Sequence, residues 1–292
     1  MASFWYKATT VVAMFVALVS GVQFPAPQTG APVPAVAEAT AATAATTTVT
    51  EGGPLRILAV GDSITCGGLG DTPGWCPELS RLLGVAQVDH VITPWGVGGS
   101  LCSSWPAVIA PLLVEFHPDI VILGCGHNDA ASQTPPATTQ AAVQAIAAQV
   151  HAAGARLLLN RVHYASGNPA SWEPRPWLPA AIEVTNGGLV AAWNAVTATY
   201  GLAFSPAMAD DTRVPPLSKY ILGDGVHPTT RGANVPLTHA TSSGYDVLAH
   251  NRYRALAAGF LVLPAIGWDC MQIGHAPSEP APRSFPCYGS PS

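Results

Sequence analysis

The chain has 292 residues, only 10% of them charged, and a formal net charge of −5. Its lysines are Lys7 and Lys219 alone, and no basic cluster stands out, which excludes a nucleic-acid face and electrostatic docking on anionic lipid. Alanine is a large part of the hydrophobic content of 49%, so it does not imply a membrane protein, and a chain of this length can bury a full core.

The beginning, "MASFWYKATTVVAMFVALVSGV", carries Lys7 and then an uncharged apolar run from Ala8 to Val22. That run is shorter than the roughly 20 residues of a membrane span. A charged start, an apolar middle and small residues beyond form the secretory-signal pattern, assigned to residues 1–23. An uncleaved N-terminal anchor is the other reading. Ala35-Val36-Ala37 fits the small-x-small cleavage rule but lies far from the apolar run. Residues 24–53 are almost all Ala, Pro, Thr, Val and Gly, with little to bury, and are expected to be a disordered linker. One α/β domain is expected over 54–263, followed by a Pro-rich tail at 264–292.

Within the domain, short apolar runs alternate with helical stretches. Strands are expected at 55–60 ("LRILAV"), 88–92 ("VDHVI"), 119–124 ("DIVILG"), 156–160 ("RLLLN") and, weakly, 202–205 ("LAFS"). Helices are expected at 77–84, at 105–116 with a bend or break at Pro111, and at 138–154, where Val143, Ile146 and Val150 fall on one face and Gly154 stops the pattern. Two more are expected at 179–201, despite Gly187 and Gly188, and at 244–261. This alternation predicts a parallel sheet with helices on both faces. Ligands of such sheets bind at the carboxyl ends of the strands.

Four small motifs sit at those ends: Gly61-Asp62-Ser63, "GVGGS" (96–100), "GHND" (126–129) and "DGVHP" (224–228). Each alone also reads as a turn, a cap or a tight loop. Together they supply the parts of serine-dependent ester hydrolysis. A hydroxyl becomes nucleophilic when a base takes its proton. A histidine suits that role, and a carboxylate fixes its tautomer. Donors must then meet the oxyanion. Asp62, just before the serine, is expected to brace the turn. His117, His151, His163, His239 and His250 show no metal-ligand spacing and read as surface or satisfied structural residues. Six cysteines with an export signal point to disulfides; they allow 15 pairings, and their spacing does not fit zinc.

The four motifs, in this order, resemble the SGNH or GDSL-type hydrolase family over residues 55–261. The resemblance implies a three-layer α/β/α, flavodoxin-like fold with a central parallel sheet of about five strands. By position it implies Ser63 as nucleophile, Asp224 and His227 as acid and base, and the Ser63 N–H, Gly99 N–H and Asn128 amide as oxyanion donors. It implies no metal and no organic cofactor. If Gly99 and Asn128 converge on one oxyanion, Cys102 and Cys125 are brought together, leaving Cys66 with Cys76 and Cys270 with Cys287. The second block departs from the family in placing Pro94-Trp95 before Gly96, and Cys125 and His127 flank the third. Residues 229–243 look like an insertion before the last helix.

The expected function is that of a secreted, monomeric serine esterase acting on small-molecule or polysaccharide esters, with short acyl or acetyl groups favoured. It is expected to have no nucleic-acid partner and no stable membrane association once the leader is removed. A lipase on longer chains and an acyltransferase are alternatives, and a non-catalytic carbohydrate-binding or cell-surface module is one of another class. Trp95, Trp172 and Trp177 are candidate platforms for a sugar ring or acyl chain; packing is their other reading.

Overall fold

The apolar run at 55–60 does become the central strand. In the computed structural model, which describes residues 53–66, 74–163, 165, 174–200, 222, 226–229, 243–261 and 263, strand β1 spans Leu55–Gly61. It pairs in parallel with β2 (His90–Gly96) on one side and β3 (Ile120–Gly124) on the other, and β3 pairs with β4 (Arg156–Leu159). The order is therefore β2-β1-β3-β4. Among the described residues the sheet has these four strands; the weak strand expected at 202–205 lies outside them. So do the leader, the linker up to Gly52, the tail at 264–292 with Cys270 and Cys287, Trp172, Asp224 and the interior of 229–243.

Side chains of β1 and β3 alternate strictly between two cores. Leu58, Val60, Val121 and Leu123 face one side, with helices α2 (Pro106–Phe116), α4 (Pro136–Ala152) and α5 (Leu178–Tyr200). Ile57, Ala59, Ile120 and Ile122 face the other, with α1 (Cys76–Val85) and α6 (Gly244–Gly259). Both faces of a parallel sheet must be covered, and the result is a three-layer α/β/α sandwich. The expected apolar stripe of α4 is real: Val143, Ile146 and Val150 are wholly buried, and Gly154 takes the left-handed conformation (φ 74°) that closes the helix.

One expected boundary is corrected, and of the bend or break expected at Pro111 the break is ruled out. β2 runs on through Thr93-Pro94 to Gly96 rather than stopping at Ile92. Among the described residues it is an edge strand, where a proline's missing N–H leaves no ladder bond unmade. Helix α2 runs unbroken through Pro111. Pro111 and Ala107, whose carbonyl loses its partner, are both exposed, so water can satisfy that oxygen.

The N-terminus of α6 is closed with unusual completeness. Ser243 Oγ accepts from the Asp246 N–H, and the Asp246 carboxylate accepts from the Ser243 N–H at 2.8 Å, a capping box. Thr229 serves the two donors before that: its Oγ1 accepts from Gly244 N–H at 2.9 Å and its carbonyl from Tyr245 N–H at 3.2 Å. The two ends of the 229–243 segment are thereby held against each other.

Candidate active site

β1 and β3 are neighbours, yet the chain leaves them toward opposite faces, so a crevice opens at their carboxyl ends. The turn after β1 starts at Gly61, where a Cβ would collide with the Gly124 carbonyl and with Thr65 Oγ1; only glycine lets β1 and β3 approach there. Asp62 then braces the turn, as expected. Its N–H donates to Gly124 O at 3.1 Å, its Oδ1 accepts from Ile64 N–H at 3.0 Å, and its carbonyl accepts from Thr65 N–H at 3.1 Å. Burial, helped by the charge of Asp129, pushes the Asp62 carboxyl up to about 7; backbone N–H groups of Ile64 and His127, and Arg252, oppose it. Burial also pushes the Arg252 guanidinium down, to about 9. It stays charged at neutral pH, 4.3 Å above the Trp75 ring and donating to Leu248 O at 2.7 Å.

This bracing leaves Ser63 part-exposed in the crevice. Its Oγ lies 2.9 Å from His227 Nε2, across 164 residues of sequence. The Asn128 amide stands on the short helix α3 (His127–Ala131) after β3 and donates to Ser100 O at 3.1 Å. Gly99, just before Ser100, is exposed with φ 76° and open space where a Cβ would be.

Two ties hold the loops after β2 and β3 together. Cys102 and Cys125 form a disulfide. Asp129 accepts from Cys102 N–H at 2.9 Å and from Thr139 Oγ1 at 3.0 Å. A second disulfide joins Cys66 and Cys76, so the structure forms both pairings expected within the described residues. Sequence reading took the Asn-Asp pair of "GHND" for one functional residue and a neighbour; Asp129 is the clamp, and its only signal was adjacency to Asn128. Trp95 packs its ring against Phe116 at 5.9 Å and joins the core. Trp177 is 36% exposed just before α5. Among the described residues, no cluster of His, Cys, Asp or Glu is arranged to hold a metal, and no helix is long and apolar enough to cross a membrane.

Ser63 and His227 thus meet at the carboxyl edge of a parallel sheet in a three-layer α/β/α sandwich. Residues 59–235 match the GDSL-like lipase/acylhydrolase family, and the chain belongs to it, within the SGNH hydrolases. A curated relative, esterase TesA of Pseudomonas aeruginosa, is 29% identical over 120 residues, which are 41% of this chain and 58% of that protein. Among solved structures, TesA matches with TM-score 0.51 and 24% identity over 69% of this chain and 97% of its own. A catalytic mutant of Axe2, an acetylxylan esterase from Geobacillus stearothermophilus, matches with TM-score 0.52 and 16% identity over 72% of this chain and 97% of its own.

Proposed function

We propose that the protein is an exported serine ester hydrolase that cleaves short-chain acyl or acetylated carbohydrate esters through an acyl-enzyme. The contact that carries this reading is Ser63 Oγ to His227 Nε2 at 2.9 Å. His227 accepts the Ser63 proton as the oxygen attacks the ester carbonyl. The carbonyl oxygen takes up charge between the Ser63 N–H, the Gly99 N–H and the Asn128 amide. One amide hydrogen of Asn128 is spent on Ser100 O, which aims the other. With Nε2 committed to the serine, Nδ1 is the position for a carboxylate, and we assign it to Asp224, three residues upstream. His227 then protonates the departing alcohol, and an attacking water gives its proton to His227 as the acid is released. A water-derived hydroxyl thus replaces the alcohol, and the enzyme returns unchanged.

Export is supported by the signal-like start and by two disulfides. Short or carbohydrate esters are favoured by the exposed Trp177 ring, whose face suits a sugar. The test is a panel of nitrophenyl esters from acetyl to palmitoyl, with acetylated polysaccharides, on the wild type and on Ser63→Ala. Ser63→Ala is expected to lose at least about three orders of magnitude in kcat. Equal turnover by both proteins overturns the mechanism. A preference for palmitoyl over acetyl esters transfers the protein to the lipases, and faster turnover with an added alcohol acceptor transfers it to the acyltransferases.

A further inference from the structure

Among the described residues, His227 is the member of the proposed machinery that does not follow β1, β2 or β3 directly, so something must hold it in place. One anchor precedes it. His163, 3% exposed on the segment after β4, places Nε2 2.8 Å from the backbone carbonyl of Val226, the residue before His227. A carbonyl only accepts, so His163 Nε2 must carry the hydrogen.

His163 is itself fixed from two directions. The preceding residue, Val162, is gripped through its backbone by Asn186 of α5: Val162 N–H donates to Asn186 Oδ1 at 2.8 Å, and Asn186 Nδ2 donates to Val162 O at 3.0 Å. Asn186 is buried in mid-helix, where asparagine is a poor helix former, and both ends of its amide are used in this clamp. The His163 ring also lies on that of His127, centroids 5.0 Å apart and planes 26° apart. Neither nitrogen of His127 has a hydrogen-bond partner. Burial first, then the neighbouring His163 and His227 imidazoles, push His127 well below the ordinary histidine value. It is therefore a neutral, flat support.

We propose that His163 is a positioning residue for the reaction: clamped by Asn186 through Val162 and stacked on His127, it latches the Val226 carbonyl and so sets the approach of His227 to Ser63. The proposal rests on the esterase reading. His163 is buried and acts through the Val226 carbonyl, so its loss should fall on the chemical step rather than on binding. A misplacement of about 1 Å at a reacting group is enough for a loss of about a hundredfold.

The experiment compares His163→Phe, which keeps a flat ring on His127 without the donor, with His163→Gln, whose Nε2 restores one. Nitrophenyl acetate is the probe, and Ser63→Ala is assayed beside them. His163→Phe is expected to lose about 10- to 100-fold in kcat with KM within about threefold, and His163→Gln to regain most of it. Wild-type kcat in His163→Phe, or folded Phe and Gln variants equally impaired, overturns the latch. Nitrogen-15 NMR of the wild type decides the matter if His163→Phe does not fold: the Nε2–H tautomer of His163 is required, and the Nδ1–H tautomer refutes it. An active Ser63→Ala sinks the esterase reading itself. An inactive Ser63→Ala beside a fully active His163→Phe sinks the latch alone.

Discussion

Asp62 lies beside the proposed nucleophile and is a buried acid. Its carboxyl stands at about 7 against an ordinary 3.8, chiefly through burial. The native state therefore keeps a proton that the unfolded chain releases above about pH 4. The sign follows: this group's contribution to stability is full below about pH 4 and declines as pH rises to about 7, above which ionised Asp62 is a burden. Asp62→Asn cannot ionise, and its Oδ1 still accepts from Ile64. We predict that between about pH 5 and pH 8 the variant loses less stability than the wild type in denaturant titrations. A steeper loss in the variant would show that Arg252 already neutralises Asp62. Gly61→Ala is a harsher change, since the new methyl group meets Gly124 O and Thr65 Oγ1. It should cost more than about 2 kcal/mol, read from the unfolding midpoint.

At the scale of elements, α1 and α6 are joined by a buried carboxylate. Glu78, 7% exposed, receives Arg81 Nε and Nη2 at 2.8 and 2.6 Å, and His250 Nε2 lies 3.3 Å away. Burial alone would raise Glu78, but the Arg81 hydrogen bonds, with those of His250, override it and hold the carboxyl at about 2. A depressed acid stabilises above its unfolded value, and that share is lost as pH falls from about 4.5 toward 2. Glu78→Gln should cost about 1–3 kcal/mol near neutral pH, with the gap to wild type closing below about pH 3. A gap that widens in acid would contradict the pairing. The helices and inner strands were readable in sequence because each is set by local periodicity: α4 by its apolar stripe, β1 and β3 by continuous apolar runs. Pro94 and Pro111 lie inside β2 and α2: what a proline costs depends on whether the freed group faces water, and that is a tertiary fact.

For the molecule as a whole, Ser63 and Asn128 were singled out because each sits in a motif just after a strand, and His227 because it lies in the "DGVHP" motif. Asp129, His163 and Asn186 were not, since one residue meeting a backbone group 24 to 63 positions away leaves no local pattern. The Cys102–Cys125 bridge spans the loops that carry Ser100 and Asn128. Replacing both cysteines with serine should cost about 3 kcal/mol on a chain-entropy model, measured by denaturant unfolding. The Asp129 tie remains, so ester turnover should persist at low temperature. Loss of turnover in the folded variant would assign the bridge to the site itself.

Thr229 and Gly244 meet at 2.9 Å, so whatever lies between them enters and leaves through one doorway. Such a segment behaves as a replaceable cassette, because closing a shorter loop across joined ends carries little entropic penalty. Exchanging residues 230–242 for a brief glycine–serine bridge should leave acetyl-ester turnover standing while the choice among bulkier esters is redrawn. Collapse of both would mean that the segment is needed for the fold itself.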